Sequence, residues 1–169
     1  MAETLTAERR SGREDTEQLI QLVGFSIDNE QFGVDILMVQ EIIRAAPITP
    51  VPNSPDFVEG VINLRGNIIP VIELRKRLNL YKEETDEDSW ILILDIEGKV
   101  TGFIVDSVSK VLKILESSIE PPPDLVVAGL ESQYIHGVCD IGDKLLILLN
   151  FNHILLVEEL KKLKAMDEE

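Results

Sequence analysis

Two histidines, one cysteine and many carboxylates are the groups in this chain whose types can do chemistry. His136, Cys139 and Asp140 form a His-x-x-Cys-Asp run of metal-ligating residue types. On a strand, however, positions 136 and 139 point to opposite faces, and no second cysteine completes a site. The spacing therefore predicts an exposed His, a buried Cys and no metal. Asp140-x-x-Asp143 is a fragment of a calcium loop whose ligand spacing continues nowhere, and it reads as an acidic turn. His153 follows Asn152, a predicted helix cap, and is expected to face solvent. No nucleophile elbow, phosphate loop or dinucleotide fingerprint occurs. No carboxylate pair has the neighbour that marks acid–base work. The expectation is a protein with no catalytic residues and no cofactor. Two charges stand out by position instead. Arg65 sits at the tip of Leu64-Arg65-Gly66-Asn67, and Glu41 interrupts the apolar run Met38-Val39-Gln40-Glu41-Ile42-Ile43. Taken alone, each reads as a solvated charge.

The elements that must position these groups are legible in the composition. The chain has 169 residues, a one-domain length that can bury a sizeable core. Ile, Val and Leu make up 57 of them, and 35 of those 57 are β-branched, which favours sheet. Sixteen basic against thirty-one acidic residues give a net charge of −15, which repels phosphate backbones and anionic lipid heads. With aromatics at only 5%, a nucleic-acid-binding barrel is disfavoured. Two short basic runs, Arg75-Lys76-Arg77 and Lys161-Lys162 with Lys164, read as solvated helix faces. A single cysteine excludes an internal disulfide and points to a reducing, cytoplasmic setting. No apolar stretch reaches the roughly 20 residues of a membrane span.

Residues 1–18 carry eight charges and predict a disordered tail. Lys82–Asp88 reads as a polar loop between two halves, Pro121–Asp124 as a turn, and 161–169 as a frayed end. Four hairpins are predicted. Leu19–Asp28 returns through Gln31–Asp35 about an Asn29-Glu30 turn. Val58–Leu64 and Ile68–Ile72 flank Arg65-Gly66-Asn67. Trp90–Ile96 and Val100–Val105 flank Glu97-Gly98-Lys99. Ile135–Ile141 and Lys144–Leu149 flank Gly142-Asp143. A short helix is expected around Leu74 and Leu78. A C-terminal helix capped by Asn152 is expected to align Leu156, Val157, Leu160 and Leu163. Runs such as Leu145–Leu149 and Leu125–Ala128 are apolar on both strand faces, which predicts a shared core plus a remainder for partners.

The two halves repeat. A shift of 69 places Phe25, Ile27 and Gly33 on Leu94, Ile96 and Gly102, and Val39 and Ile42 on Val108 and Val111. A shift of 77 places Phe57–Val61 on Tyr134–Val138. The repeat predicts two similar five-stranded β-barrels packed together, mainly β, with few short helices. Leu64, Ile68, Val34 and Ile36 are expected to fill the barrel that carries Arg65 and Glu41.

The run Phe57-Val58-Glu59-Gly60-Val61-Ile62-Asn63-Leu64-Arg65-Gly66-Asn67-Ile68-Ile69-Pro70-Val71 resembles the signature of the chemotaxis coupling protein (CheW) family. So do Phe32–Ile36, Val39–Ile42 and Gly102–Val108. The resemblance spans roughly residues 17–160. It implies two intertwined SH3-like barrels over residues 19–160, with their junction near 82–88. It also implies a non-enzymatic scaffold that bridges the cytoplasmic signalling tips of chemoreceptors to the regulatory domain of the histidine kinase CheA. A same-fold adaptor for another chemosensory pathway, such as twitching motility, is the neighbouring reading. By this resemblance Val39, Glu41 and Arg65 face the receptor. Gly66, Trp90 and Ile91 are further partner-contact candidates. Trp90 stands where relatives commonly carry smaller aliphatics, and its alternative role is to close the core between the barrels.

Overall fold

The computed structural model describes residues 18–44, 46–78, 80, 89–121, 134–142 and 144–154. The first half contributes β1 (Leu19–Ile27), β2 (Glu30–Asp35), β3 (Val39–Arg44), β4 (Val58–Leu64), β5 (Asn67–Glu73) and the short helix α1 (Leu74–Arg77). The second contributes β6 (Trp90–Ile96), β7 (Lys99–Val105), β8 (Ser107–Leu115), β9 (Ile135–Asp140), β10 (Leu145–Leu149) and α2 (Phe151–Ile154). All four predicted hairpins form. The first turns one residue earlier than expected, at Asp28-Asn29, because Ile27 already pairs with Glu30.

The strands assemble into two five-stranded sheets with orders β8-β1-β2-β10-β9 and β3-β6-β7-β5-β4. Adding five to each strand of the first half gives its counterpart in the second, so the two orders are the same order. The registers repeat as well. Gly33 of β2 lies opposite Leu148 of β10, and Gly102 of β7 lies opposite Val71 of β5, as the shifts of 69 and 77 require. The halves have exchanged hairpins. The β1–β2 hairpin joins the sheet built by β8–β10, and β6–β7 joins the one built by β3–β5.

Each sheet curls shut in the same way. The outer strands of the second sheet are β3 and β4, and Thr49, just beyond β3, exchanges two backbone hydrogen bonds of 2.9 Å with Val61 of β4. Glu120, beyond β8, does the same with Val138 of β9 at 2.9 and 2.8 Å. This approach needs glycine. A Cβ on Gly60, whose φ is +148°, would stand 2.1 Å from the Thr49 carbonyl oxygen, and one on Gly137 would stand 2.9 Å from that of Glu120.

Closure gives three cores. The largest lies between the sheets and takes Phe25, Phe32 and Ile147 from one and Leu92, Leu94 and Phe103 from the other. Leu22, Cys139, Leu146 and Leu148 fill the first barrel. Ile62, Ile69, Val71, Ile91 and Ile93 fill the second. Strand residues alternate between a barrel interior and the shared core, which is why Ile91-Leu92-Ile93-Leu94 and Leu146–Leu149 are apolar on both faces. The expected filling of the second barrel is corrected here. Val34 belongs to the other sheet and faces the shared core. Ile36 lies in a 3-10 turn against that core. Ile68 sits beside the hairpin tip and is 50% exposed. Leu64 alone packs where expected.

The Arg75–Arg77 run is also not a solvated face. Arg75 is buried, and its guanidinium pairs with Asp106 at 2.5 Å and Asp28 at 3.5 Å. Asp106 also accepts from the Asp28 backbone N–H at 2.7 Å. This cation from the second barrel thus holds the β1–β2 turn of the first. Arg77 stacks on Phe57 and Tyr134 and donates to the Ile154 carbonyl at 2.8 Å. Only Lys76 is exposed, and it pairs with Glu59. Helix α2 is capped by Asn150, whose side chain accepts from the His153 N–H, not by Asn152. The tail 1–17, the 82–88 junction, Leu125–Ala128 and the C-terminal helix and frayed end beyond Ile154 lie outside the described residues.

Because both sheets share one core, Phe25→Ala and Phe103→Ala should each destabilise the whole protein by about 3–5 kcal/mol. Urea denaturation should remain a single transition in both variants. Two separable transitions, one per barrel, would contradict the shared-core account.

Candidate functional site

Arg65 and Glu41 meet at one edge of the second barrel, and local backbone irregularities bring them there. Leu64 pairs with Asn67, so Arg65-Gly66 is a two-residue hairpin turn. Its φ values are 53° and 89°. Turns of this kind match the twist of the strands but need positive φ at both positions, so Gly66 suits the second and Arg65 is constrained at the first. The Asn63 carboxamide Oδ1 accepts from the Gly66 N–H at 2.9 Å and fixes the tip.

Glu41 stands at a bulge. Val39 lies opposite Leu94, but Glu41 lies opposite the next residue, Ile93, leaving Gln40 as the extra residue. The bulge shifts the phase of alternation, so Val39 and Ile42, three apart, both pack on the shared core. Glu41 is then free to point at the hairpin tip. The same bulge recurs in β8, where Lys110 is the counterpart of Glu41 by the shift of 69 and Val108 and Val111 are those of Val39 and Ile42.

The Arg65 guanidinium grips the Glu41 carboxylate with both arms, Nη1 donating to Oε2 at 3.1 Å and Nη2 to Oε1. The side chains are 69% and 31% exposed, so the pair contributes little to stability. The Arg65 hydrogen bond holds the Glu41 carboxyl below the usual glutamate range, and Glu41 raises Arg65 in return. Beside the pair is a shallow hollow lined by Gln40, Ile68 and Lys99. The result is a doubly hydrogen-bonded charge pair with an exposed aliphatic next to it.

The remaining candidates are placed as follows. Val39 is half-buried along the seam between the sheets, next to Glu41 in the strand. Trp90 packs half-buried against the shared core, with the Arg44 guanidinium 4.5 Å from its ring centroid. Ile91 is fully buried inside the second barrel and has no surface to offer, so it is not carried further as a partner contact. His136 is exposed and Cys139 buried. Among the described residues, no group of three or more His, Cys, Asp or Glu is placed to hold a metal ion. Asp140 accepts from the Gly142 N–H at 3.1 Å, as a turn carboxylate. Among the described residues no helix is long and apolar enough to cross a membrane. Sequence reasoning missed Ile42 and Val108 as seam residues, although the 69-residue self-match already made Val108 the counterpart of Val39; Val111, the counterpart of Ile42, is exposed instead.

Elsewhere, burial raises the Glu73 carboxyl, which caps α1 by accepting from the Arg75 N–H. Carbon-detected NMR titration should find Glu41 below and Glu73 above the ordinary glutamate value. Arg65→Ala should move Glu41 upward and leave Glu73 in place. For Glu73 the folded pKa exceeds the unfolded one. Its charging therefore costs stability, and that cost develops as pH rises from the unfolded value through the folded one. Glu73→Gln should lessen the fall in stability over that window.

The CheW-like domain model matches residues 21–159. The chain is 37% identical to a chemotaxis protein CheW of Treponema pallidum, over 87% of this chain and 88% of that one. It is 38% identical to that of Klebsiella aerogenes, over 80% and 81%. Among solved structures, the scaffolding protein CheW of Thermoanaerobacter tengcongensis superposes with a TM-score of 0.77 at 39% identity, covering 84% of this chain and 96% of that one. A matched family model over most of the chain, relatives of nearly equal length and a shared two-sheet architecture agree, and the chain belongs to the CheW-like domain family.

Proposed function

We propose that this protein is a non-enzymatic chemotaxis scaffold that couples chemoreceptor signalling tips to the regulatory domain of the histidine kinase CheA. It would act in the cytoplasm and be recruited to receptor arrays. The relatives' chemotaxis and scaffolding names support the pathway. The observation that carries the site is the Arg65–Glu41 pair. It is built by a constrained turn and a bulge, yet its exposure leaves it of little use to stability. Such a pair presents fixed donors and acceptors, and a guanidinium fork can engage a partner carboxylate or carbonyl besides its own glutamate. Val39 supplies apolar contact beside it, Gly66 shapes the tip, and Ile42 and Val108 continue the same seam. Trp90, under Arg44, is a further anchor at the far end of β3.

The kinase contact is a second, separate surface. CheA's regulatory domain is expected to be built from the same barrels, so the two dock barrel to barrel through a modest, transient-class interface.

Arg65→Ala and Glu41→Lys should leave the melting temperature nearly unchanged, as surface changes usually stay within about 0.5 kcal/mol. Both should weaken capture by a receptor signalling-tip fragment, while calorimetry against the kinase regulatory domain changes little. Unfolding of Arg65→Ala would make the residue structural. Wild-type receptor coupling in both variants would remove the site, and absence of kinase binding at high micromolar concentration would remove the second surface.

A further inference from the structure

We infer that Asn63 is a positioning residue for the docking surface: its carboxamide holds the hairpin tip in the one backbone state from which Arg65 reaches Glu41. This rests on the receptor-coupling reading above only for its functional arm. The argument begins with backbone conformation. A non-glycine residue at φ 53° is in a sparsely occupied region, and nothing about an arginine favours it. A two-residue turn prefers Asn, Asp or Gly at this first position. The strained state must therefore be held by its surroundings. Two features hold it. Gly66 takes φ 89° without penalty, and Asn63 Oδ1 accepts from the Gly66 N–H at 2.9 Å. Asn63 is itself exposed and packs in none of the three cores, so this bond is its described role.

The molecule contains a matched comparison. The β6–β7 turn has the same form, with Glu97 at φ 52° and Gly98 at φ 86°. There Asp95, two residues before the turn as Asn63 is, accepts from the Gly98 N–H at 2.8 Å. The same device thus stands at two tips. One carries Arg65 in its bidentate grip on Glu41; the other carries Glu97, for which no such grip is described. An aspartate performs the bond as well as an asparagine does, which defines the conservative replacement.

The experiment uses the full chain with Asn63→Ala, Asn63→Asp and Asp95→Ala, compared with Arg65→Ala. The first readout is the Glu41 carboxyl titration by NMR. Asn63→Ala should move Glu41 up toward its ordinary value, part of the way that Arg65→Ala moves it, while Asn63→Asp and Asp95→Ala leave it low. The second readout is affinity for a receptor signalling-tip fragment. Asn63→Ala should weaken it several-fold to about tenfold, with no further loss when combined with Arg65→Ala, and Asn63→Asp should restore it. An unmoved Glu41 titration in folded Asn63→Ala would overturn the inference. So would an equal movement in Asp95→Ala, or additive losses in the double variant. Should Asn63→Ala fail to fold, Asn63→Leu, of similar shape but without an acceptor, takes its place under the same criteria. If the wild-type protein does not bind the tip fragment, the receptor reading falls, while the titration still decides the role of Asn63.

Discussion

Phe25 and Phe103, one from each sheet, are fully buried in a core that neither barrel owns. That shared core is the constraint from which the rest follows. A five-stranded barrel has only a handful of interior positions; among the described residues, four are buried in one barrel's cluster and five in the other's. Too little apolar area is buried there to offset the ordering of the chain that surrounds it. The outer faces of the same strands must therefore be covered, and each barrel covers the other. Exchange of the β1–β2 and β6–β7 hairpins makes the arrangement difficult to undo, because each sheet holds strands from both halves. The buried Arg75, set between Asp28 and Asp106, adds a charged tie across the same boundary, and its carboxylate partners offset the cost of burying it.

The Arg65–Glu41 rim is a by-product of how the sheets close. β3 must leave its ladder to reach β4 through Thr49, and its bulge lets Val39 and Ile42 both face inward while Glu41 faces out. The β4–β5 tip projects beyond the barrel interior, so Arg65 arrives at the same rim. The equivalent rim of the first barrel has Lys110 at the bulge and Gly142 at the tip. The fold builds the two rims alike, but residue types at two positions make a paired charge in one of them. The proposed function rests on those side chains rather than on the architecture.

Much of this was legible in the sequence, and the failures have physical causes. The self-matches at 69 and 77 show which strands correspond, and the pairing of Gly33 with Leu148 repeats as Gly102 with Val71 because of that correspondence. They did not give the exchange of hairpins. Self-similarity shows which strands correspond, but β1–β2 has equivalent partners in either half, and only the connections decide between them. Ile68 was misplaced because Ile69 and Val71 take the interior positions of β5, and alternation then puts Ile68 on the opposite face at the exposed end of the strand. The Arg75 error is of another kind. A basic triplet on a short helix is usually solvated, and the acids that receive this one lie far away in sequence, at positions 28 and 106. The Glu41–Arg65 site was named from family resemblance, whereas its bidentate geometry depends on a bulge and a positive φ that no spacing reveals.

The exchanged hairpins also have a consequence in time. Phe32 of β2 finds its neighbour Ile147 only near the end of the described chain. At about 5–20 residues per second, the first hairpin to leave the ribosome waits on the order of ten seconds for that strand. During that wait β1 and β2 lack the flanking strands β8 and β10 and are open to mispairing with β3–β5, their neighbours in sequence. Such long-range pairing slows folding. The polar tail ahead of β1 and the net charge of −15 then act on the nascent chain: like charge keeps unfinished copies apart until the last strands arrive.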